Sequence, residues 1–136
     1  MSTPSLDQRR AAHAWNAVES FMDANAPRND KKTRVPNDDA KKYGVHARKL
    51  PMRIIASGLG QALAFLVAKG YCPELLKSLS HWCLTKGEGK KSEPNELLIE
   101  IIRGNSEDLR RHTAEALAYM QWLVRFVEAA GITGEE

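Results

Sequence analysis

A chain of 136 residues, 43% hydrophobic and 27% charged, has the size and composition of one soluble globular domain with a modest core. Its two cysteines, Cys72 and Cys83, set up no disulfide framework, and no N-terminal apolar run marks a secretory signal, so free thiols in a reducing cytoplasm are expected. The net charge of +3 is unevenly spread: from Arg28 to Arg53 nine basic residues stand against three acidic ones, which points to a polyanionic partner.

Ser5 followed by Gln8 forms a capping-box pattern. The helix it opens carries Leu6, Ala14, Ala17, Val18 and Phe21 toward a core and ends before Pro27. Arg9, Arg10 and His13 lie near its start on a more polar face, where cations oppose the helix dipole. Residues 26–36 (APRNDKKTRVP) are polar and lack a period, and predict a mobile surface loop. Asn37 can cap a second helix over residues 38–49, which gains apolar surface from Tyr43, Val45 and Ala47 and is weakened by Gly44.

Next comes the most apolar stretch of the chain. Pro51 is suited to a first helical position and Gly70 to a left-handed stop. Between them Ile55, Leu59, Ala62, Leu63 and Leu66 fall at helical spacing, and from Leu59 to Ala68 the only polar side chain is Gln61. A helix apolar on nearly all sides must be covered on nearly all sides, so this stretch is expected to be the central helix of a bundle. It is shorter than the roughly 20 apolar residues a bilayer span needs. Gly58 and Gly60 are expected to give a smooth surface for a neighbouring helix.

Pro73 opens a fourth helix, with Leu75, Leu76, Leu79, Trp82 and Cys83 inward. A second polar loop follows over residues 85–93. Pro94 begins a short helix with Leu97, Leu98, Ile101 and Ile102 inward, ended by Gly104. Asn105 caps a last helix that stops at Gly131. On it Leu109, Thr113, Ala116, Leu117, Met120, Leu123, Val124 and Val127 follow at three- and four-residue steps. Tyr119, Trp122 and Phe126 form an adjacent aromatic row that suits a core or a partner surface. No segment alternates with period two. The fold class expected is all-α: one domain, residues 1–136, of about six helices around the central apolar helix, with a C-terminus frayed over 132–136.

No catalytic constellation stands out. His13, His46, His81 and His112 are scattered, none with a His or Cys partner at i, i+4, and no metal or other cofactor is expected. Asp108 and His112 share a helix face and suit a helical ion pair. Cys83 near His81 is better read as an inert buried thiol than as a nucleophile.

Three segments together resemble one family. They are Arg48-Lys49-Leu50-Pro51 leading into SGLGQALAFLVAK (57–69), Asp7-Gln8-Arg9-Arg10 leading into Ala14, Trp15 and Val18, and Thr113-Ala114-Glu115-Ala116-Leu117 followed by Gln121-Trp122-Leu123 and Arg125-Phe126. In order and spacing they resemble the small helical subunit of the type III-B CRISPR effector, the Cmr RNA-silencing complex. The resemblance spans nearly the whole chain, and its motifs carry no catalytic chemistry.

The resemblance implies a non-catalytic subunit of an antiviral ribonucleoprotein. Its partners would be the other effector subunits, guide RNA and target RNA through backbone contacts, and further copies of itself in a short filament, with no membrane. Among the basic residues, Arg9, Arg10, Arg48, Lys49 and Arg125 match the family pattern. The charge argument adds Lys41, Lys42 and Arg53. Arg48 and Lys49 lead this set, because they precede a proline-started helix whose first N–H groups would be free to bind phosphate. Two rival readings are a stand-alone helical adaptor, which leaves the basic segment without a role, and a DNA-binding regulator. The latter would need a base-reading recognition helix where the chain has a leucine-rich one.

Overall fold

The computed structural model describes residues 2–25 and 38–132. The loop expected at 27–36, its basic residues, the Asn37 cap and the last four residues of the tail lie outside the described residues. Six helices follow in order: α1 (Leu6–Asn25), α2 (Asp38–Ser57), α3 (Leu59–Lys69), α4 (Pro73–Thr85), α5 (Glu96–Arg103) and α6 (Ser106–Ala129). No strand occurs among the described residues, so the all-α class holds.

The caps follow from local chemistry. At the start of α1 the Ser5 amide donates to Gln8 Oε1 at 2.7 Å and the Gln8 amide to Ser5 Oγ at 3.0 Å, a complete capping box. At the start of α6 the Asp108 amide donates to Asn105 Oδ1 at 2.8 Å. At the end of α3 Gly70 takes φ 69°, and the Tyr71 amide reaches back to the Leu66 carbonyl at 3.0 Å. α4 opens with Pro73 at its start and closes with Lys86 in the left-handed region. Within the polar stretch 85–93, Ser92 is buried.

Two boundaries differ from the expectation. α2 does not stop at residue 49. It runs through Pro51, which stands inside the helix. A proline there removes one hydrogen bond at a cost of about 3 kcal/mol, which packing of α2 against α6 and α3 can offset. The break comes instead at Gly58, with φ 90° and ψ 156°, a conformation essentially confined to glycine. The Gly58 amide closes α2 on the Ile54 carbonyl at 2.8 Å, and the Gly58 carbonyl opens α3 by accepting from the Ala62 amide at 3.0 Å. Gly58 is thus a hinge in the backbone and not a smooth packing surface. Gly60 does face a neighbour, since a Cβ there would meet Ile101 of α5 at 3.6 Å.

The centre of the bundle also moves. α6 touches all five other helices, most extensively α1 and α2, whereas α3 lies against α2, α5 and α6. Leu59, Leu63 and Leu66 are buried as expected, but Phe65 on the far side of α3 is 38% exposed. On α2 Ile54 is buried and Ile55 is 68% exposed. Ile102 on α5, expected inward, is 72% exposed, and Leu6 and Leu109 are also exposed. Met120 is fully buried, and Leu117 packs half-buried against the core. The aromatic row of α6 faces inward. Tyr119 is buried, and α1 covers Phe126 by setting Trp15 edge-on against it at 5.1 Å.

Candidate nucleic-acid interface

Lys42, His46, Lys49 and Arg53 follow each other on α2 at steps of four, three and four residues, which puts them on one helix face. Lys42 and Lys49 are exposed, and Arg53 is half-buried. Arg53 is held in place twice. Its Nη1 lies 3.1 Å from His46 Nδ1, and its guanidinium carbon lies 4.6 Å from the centroid of the Phe65 ring. The turn at Gly70 swings Tyr71 onto this face, where its ring stacks on His46 at 4.5 Å and 26°. Phe65 meets Tyr71 edge-on at 6.3 Å. Cys72 follows, its Sγ donating to the Lys42 carbonyl at 3.4 Å. The result is a row of cations interleaved with aromatic rings, built by α2, α3 and the α3–α4 turn.

The electrostatics show these cations acting as a group. Burial holds the His46 pKa below its usual value, and Arg53, Lys49 and Lys42 push it further the same way. Such an array suits a polyanion. Lysines and a guanidinium are groups that can pair with phosphates, and the rings offer flat apolar surface beside them.

Lys41 and Arg48 each stand one residue before Lys42 and Lys49, on the adjoining flank of α2, with Lys41 exposed and Arg48 half-buried. Both Arg48 and Lys49 sit in mid-helix, because α2 continues past Pro51. The free N–H groups expected beside them are therefore absent: the amides of this region belong to the helix ladder.

The other expected cations are engaged elsewhere. Arg10 forks onto Glu115, with Nε 2.5 Å from Oε2 and Nη2 3.0 Å from Oε1, and its Nη1 reaches Asp7 at 3.1 Å. Trp82 Nε1 donates to the same Glu115 at 2.7 Å, and Trp122 Nε1 donates to Asp7 at 3.1 Å. The Glu115 carboxyl is accordingly held below its usual pKa, mainly by the Arg10 hydrogen bond, and Arg10 is raised above its own. This network ties α1, α4 and α6 together. Arg9 is exposed, 4.0 Å from Glu88, and Arg125 is exposed, 3.3 Å from Glu128.

Sequence reasoning passed over His46, Tyr71 and Phe65 as part of this surface. The spacing of His46 within the basic row was available, but the approach of Tyr71 depends on the turn. It also passed over a second histidine arrangement. His13 Nδ1 lies 2.8 Å from the Tyr119 hydroxyl, and His13 Nε2 lies 2.9 Å from His81 Nδ1. Burial, with His81 as a second cause, pushes the His13 pKa down to about 4. Among the described residues no group of three or more His, Cys, Asp or Glu is placed to hold a metal. Asp108 pairs with Arg111 one turn along, in place of the expected partner His112. Cys83 is buried and its thiol is pushed up to about 12, which keeps it protonated and unreactive. Among the described residues no helix is long and apolar enough to cross a membrane.

The family model described as CRISPR-associated protein (Cas_Cmr5) matches residues 6–130. The fold is similar to the X-ray crystal structure of a CRISPR-associated Cmr5 family protein from Thermus thermophilus. The TM-score is 0.70 at 24% sequence identity, over 93% of this chain and 97% of that one. At that identity the structural likeness speaks for the fold, while the family match covers all six helices. The chain belongs to the Cmr5 family of CRISPR-associated proteins, the small subunit of the type III-B Cmr complex.

Proposed function

We propose that this Cmr5 chain is a non-catalytic subunit that stacks into a short filament of the type III-B ribonucleoprotein, in the cytoplasm, and steadies guide and target RNA by their backbones in antiviral defence. The observation that carries this reading is the cationic face of α2, where Lys42, Lys49 and Arg53 surround His46 beside two aromatic rings. Lys41 and Arg48 extend it along the flank of the same helix, and Arg9 and Arg125 are further exposed cations. Arg10 lies apart from this face, in the tie of α1, α4 and α6 through Asp7 and Glu115.

Contacts to phosphate position a strand without reading it. That suits a machine in which guide pairing selects the target, since a subunit that read bases would narrow the range of targets. Weak contacts between copies become strong avidity once RNA and neighbouring subunits hold the copies in line. Co-purification from the host, with sequencing of bound RNA and identification of bound proteins, tests the reading. The expected catch is the other effector subunits with guide RNA, the RNA being lost steeply as salt rises. Recovery of the chain alone, or of an assembly free of RNA, contradicts it.

A further inference from the structure

His46 stands in the middle of the cationic face, and its hydrogen bond fixes its protonation state. A guanidinium can only donate, so His46 Nδ1, 3.1 Å from Arg53 Nη1, must accept. An imidazole that accepts at Nδ1 carries its single proton on Nε2 and is neutral. The surroundings favour the same state. From α2 itself, Lys42, Lys49 and Arg53 all repel a positive charge on the ring. From α3 comes the Phe65 ring, which holds Arg53. From the α3–α4 turn come Tyr71, stacked on the imidazole, and Cys72, whose thiol is pushed up to about 11 and stays neutral; Asp39 acts on that thiol.

This arrangement has a built-in response to an anion, provided the α2 face is the RNA surface proposed above. We propose that His46 is a proton-linked phosphate contact. A nucleic-acid phosphate arriving among Lys42, Lys49 and Arg53 draws the Arg53 N–H off Nδ1, Nδ1 takes up one proton from solvent, and the imidazolium becomes a fourth cation on the same face. The Arg53–His46 hydrogen bond is broken, and charge-assisted bonds to phosphate oxygens replace it. The phosphate charge also cancels the repulsion that kept the ring neutral. Each occupied site therefore consumes one proton, and binding tightens as pH falls through the range where the free histidine is neutral and the bound one charged.

The test uses the full chain and a short oligouridine RNA, with affinity measured between pH 8 and pH 6 and calorimetry in two buffers of different ionisation enthalpy. The wild-type chain should bind about three- to tenfold more tightly at the lower pH, with uptake of up to about one proton. In His46→Gln the ratio of the affinities at pH 6 and pH 8 should fall close to one, whatever the affinity of the variant at pH 8. The imidazole resonances of His46 in the wild-type chain should titrate at higher pH with RNA than without, a readout independent of any variant. RNA binding with the same pH response in both proteins, or an unmoved His46 titration, overturns the proton-linked contact and leaves the backbone-binding reading standing. Absence of RNA binding at every pH overturns both.

Discussion

Gly44 on α2 and Ile132 beyond α6 meet so closely that a Cβ on Gly44 would lie 1.9 Å from the Ile132 carbonyl oxygen. Ile132 is fully buried, and its amide bonds the Val127 carbonyl at 3.0 Å, so the obstructing atom belongs to a fixed backbone. Gly44→Ala gains up to about 1 kcal/mol in helix propensity but forces the two segments apart. Overpacking of this kind costs about 1–3 kcal/mol. The variant should be destabilised in urea unfolding, and an unchanged or higher midpoint would contradict the contact.

The two glycines flanking Leu59 should respond in opposite ways. Gly58→Ala places a side chain at φ 90° and should cost about 1–3 kcal/mol. Gly60→Ala has room, with Ile101 at 3.6 Å, and should be neutral or stabilising by up to about 1 kcal/mol. Equal effects at the two positions would mean that the α2–α3 hinge is misplaced.

Leu63 is 1% exposed, where α3 faces the core. Leu63→Ala should cost about 2–5 kcal/mol through lost burial and the cavity left behind. A loss below about 1 kcal/mol would argue that α3 does not pack as described.

Acid should weaken the fold through His13 before it reaches the carboxylates. Its pKa falls from 6.5 to about 4 on folding, because burial disfavours the cation and His81 repels it. A depressed pKa contributes stability that is complete above the unfolded value and is lost as pH falls toward the folded one. The Tm of the wild-type chain should therefore decline between about pH 6.5 and pH 4. Glu115 and Asp7, also held below their usual values, add to the decline at the acid end. His13→Gln should flatten the upper part of that curve relative to the wild type, and parallel curves would contradict the assignment.

Much of this was legible in the sequence where the chemistry is local. Ser5 with Gln8, Gly70 and Asn105 cap helices through bonds to residues a few positions away, so their roles could be read from order alone. Pro51 was misread because a proline suits a first turn and is also tolerated inside a well-packed helix; only tertiary contact decides. Gly58 looked like a packing glycine because a positive φ leaves no trace in composition. Ile55 and Ile102 share the apolar character of their neighbours, and what exposes them is which sides of α2 and α5 the other helices cover. The basic row on α2 was visible as charge. Its completion by Tyr71 and Phe65, and the pairing of His13 with His81 across 68 residues, depend on how the helices meet.

The most direct measurement of the central claim is target-RNA affinity of the assembled complex carrying Lys42→Glu with Lys49→Glu, across a range of salt and with unrelated guide–target pairs. Both side chains are exposed, so the stability of the isolated chain should change by no more than about 0.5 kcal/mol per substitution. The wild-type log–log salt slope should fall by about 0.7 for each phosphate neutralised on a single strand. The variant should bind more weakly for every pair alike, with the slope flattened by roughly 1–2 units. A complex that assembles normally and binds target RNA with unchanged affinity and unchanged salt slope would contradict the account.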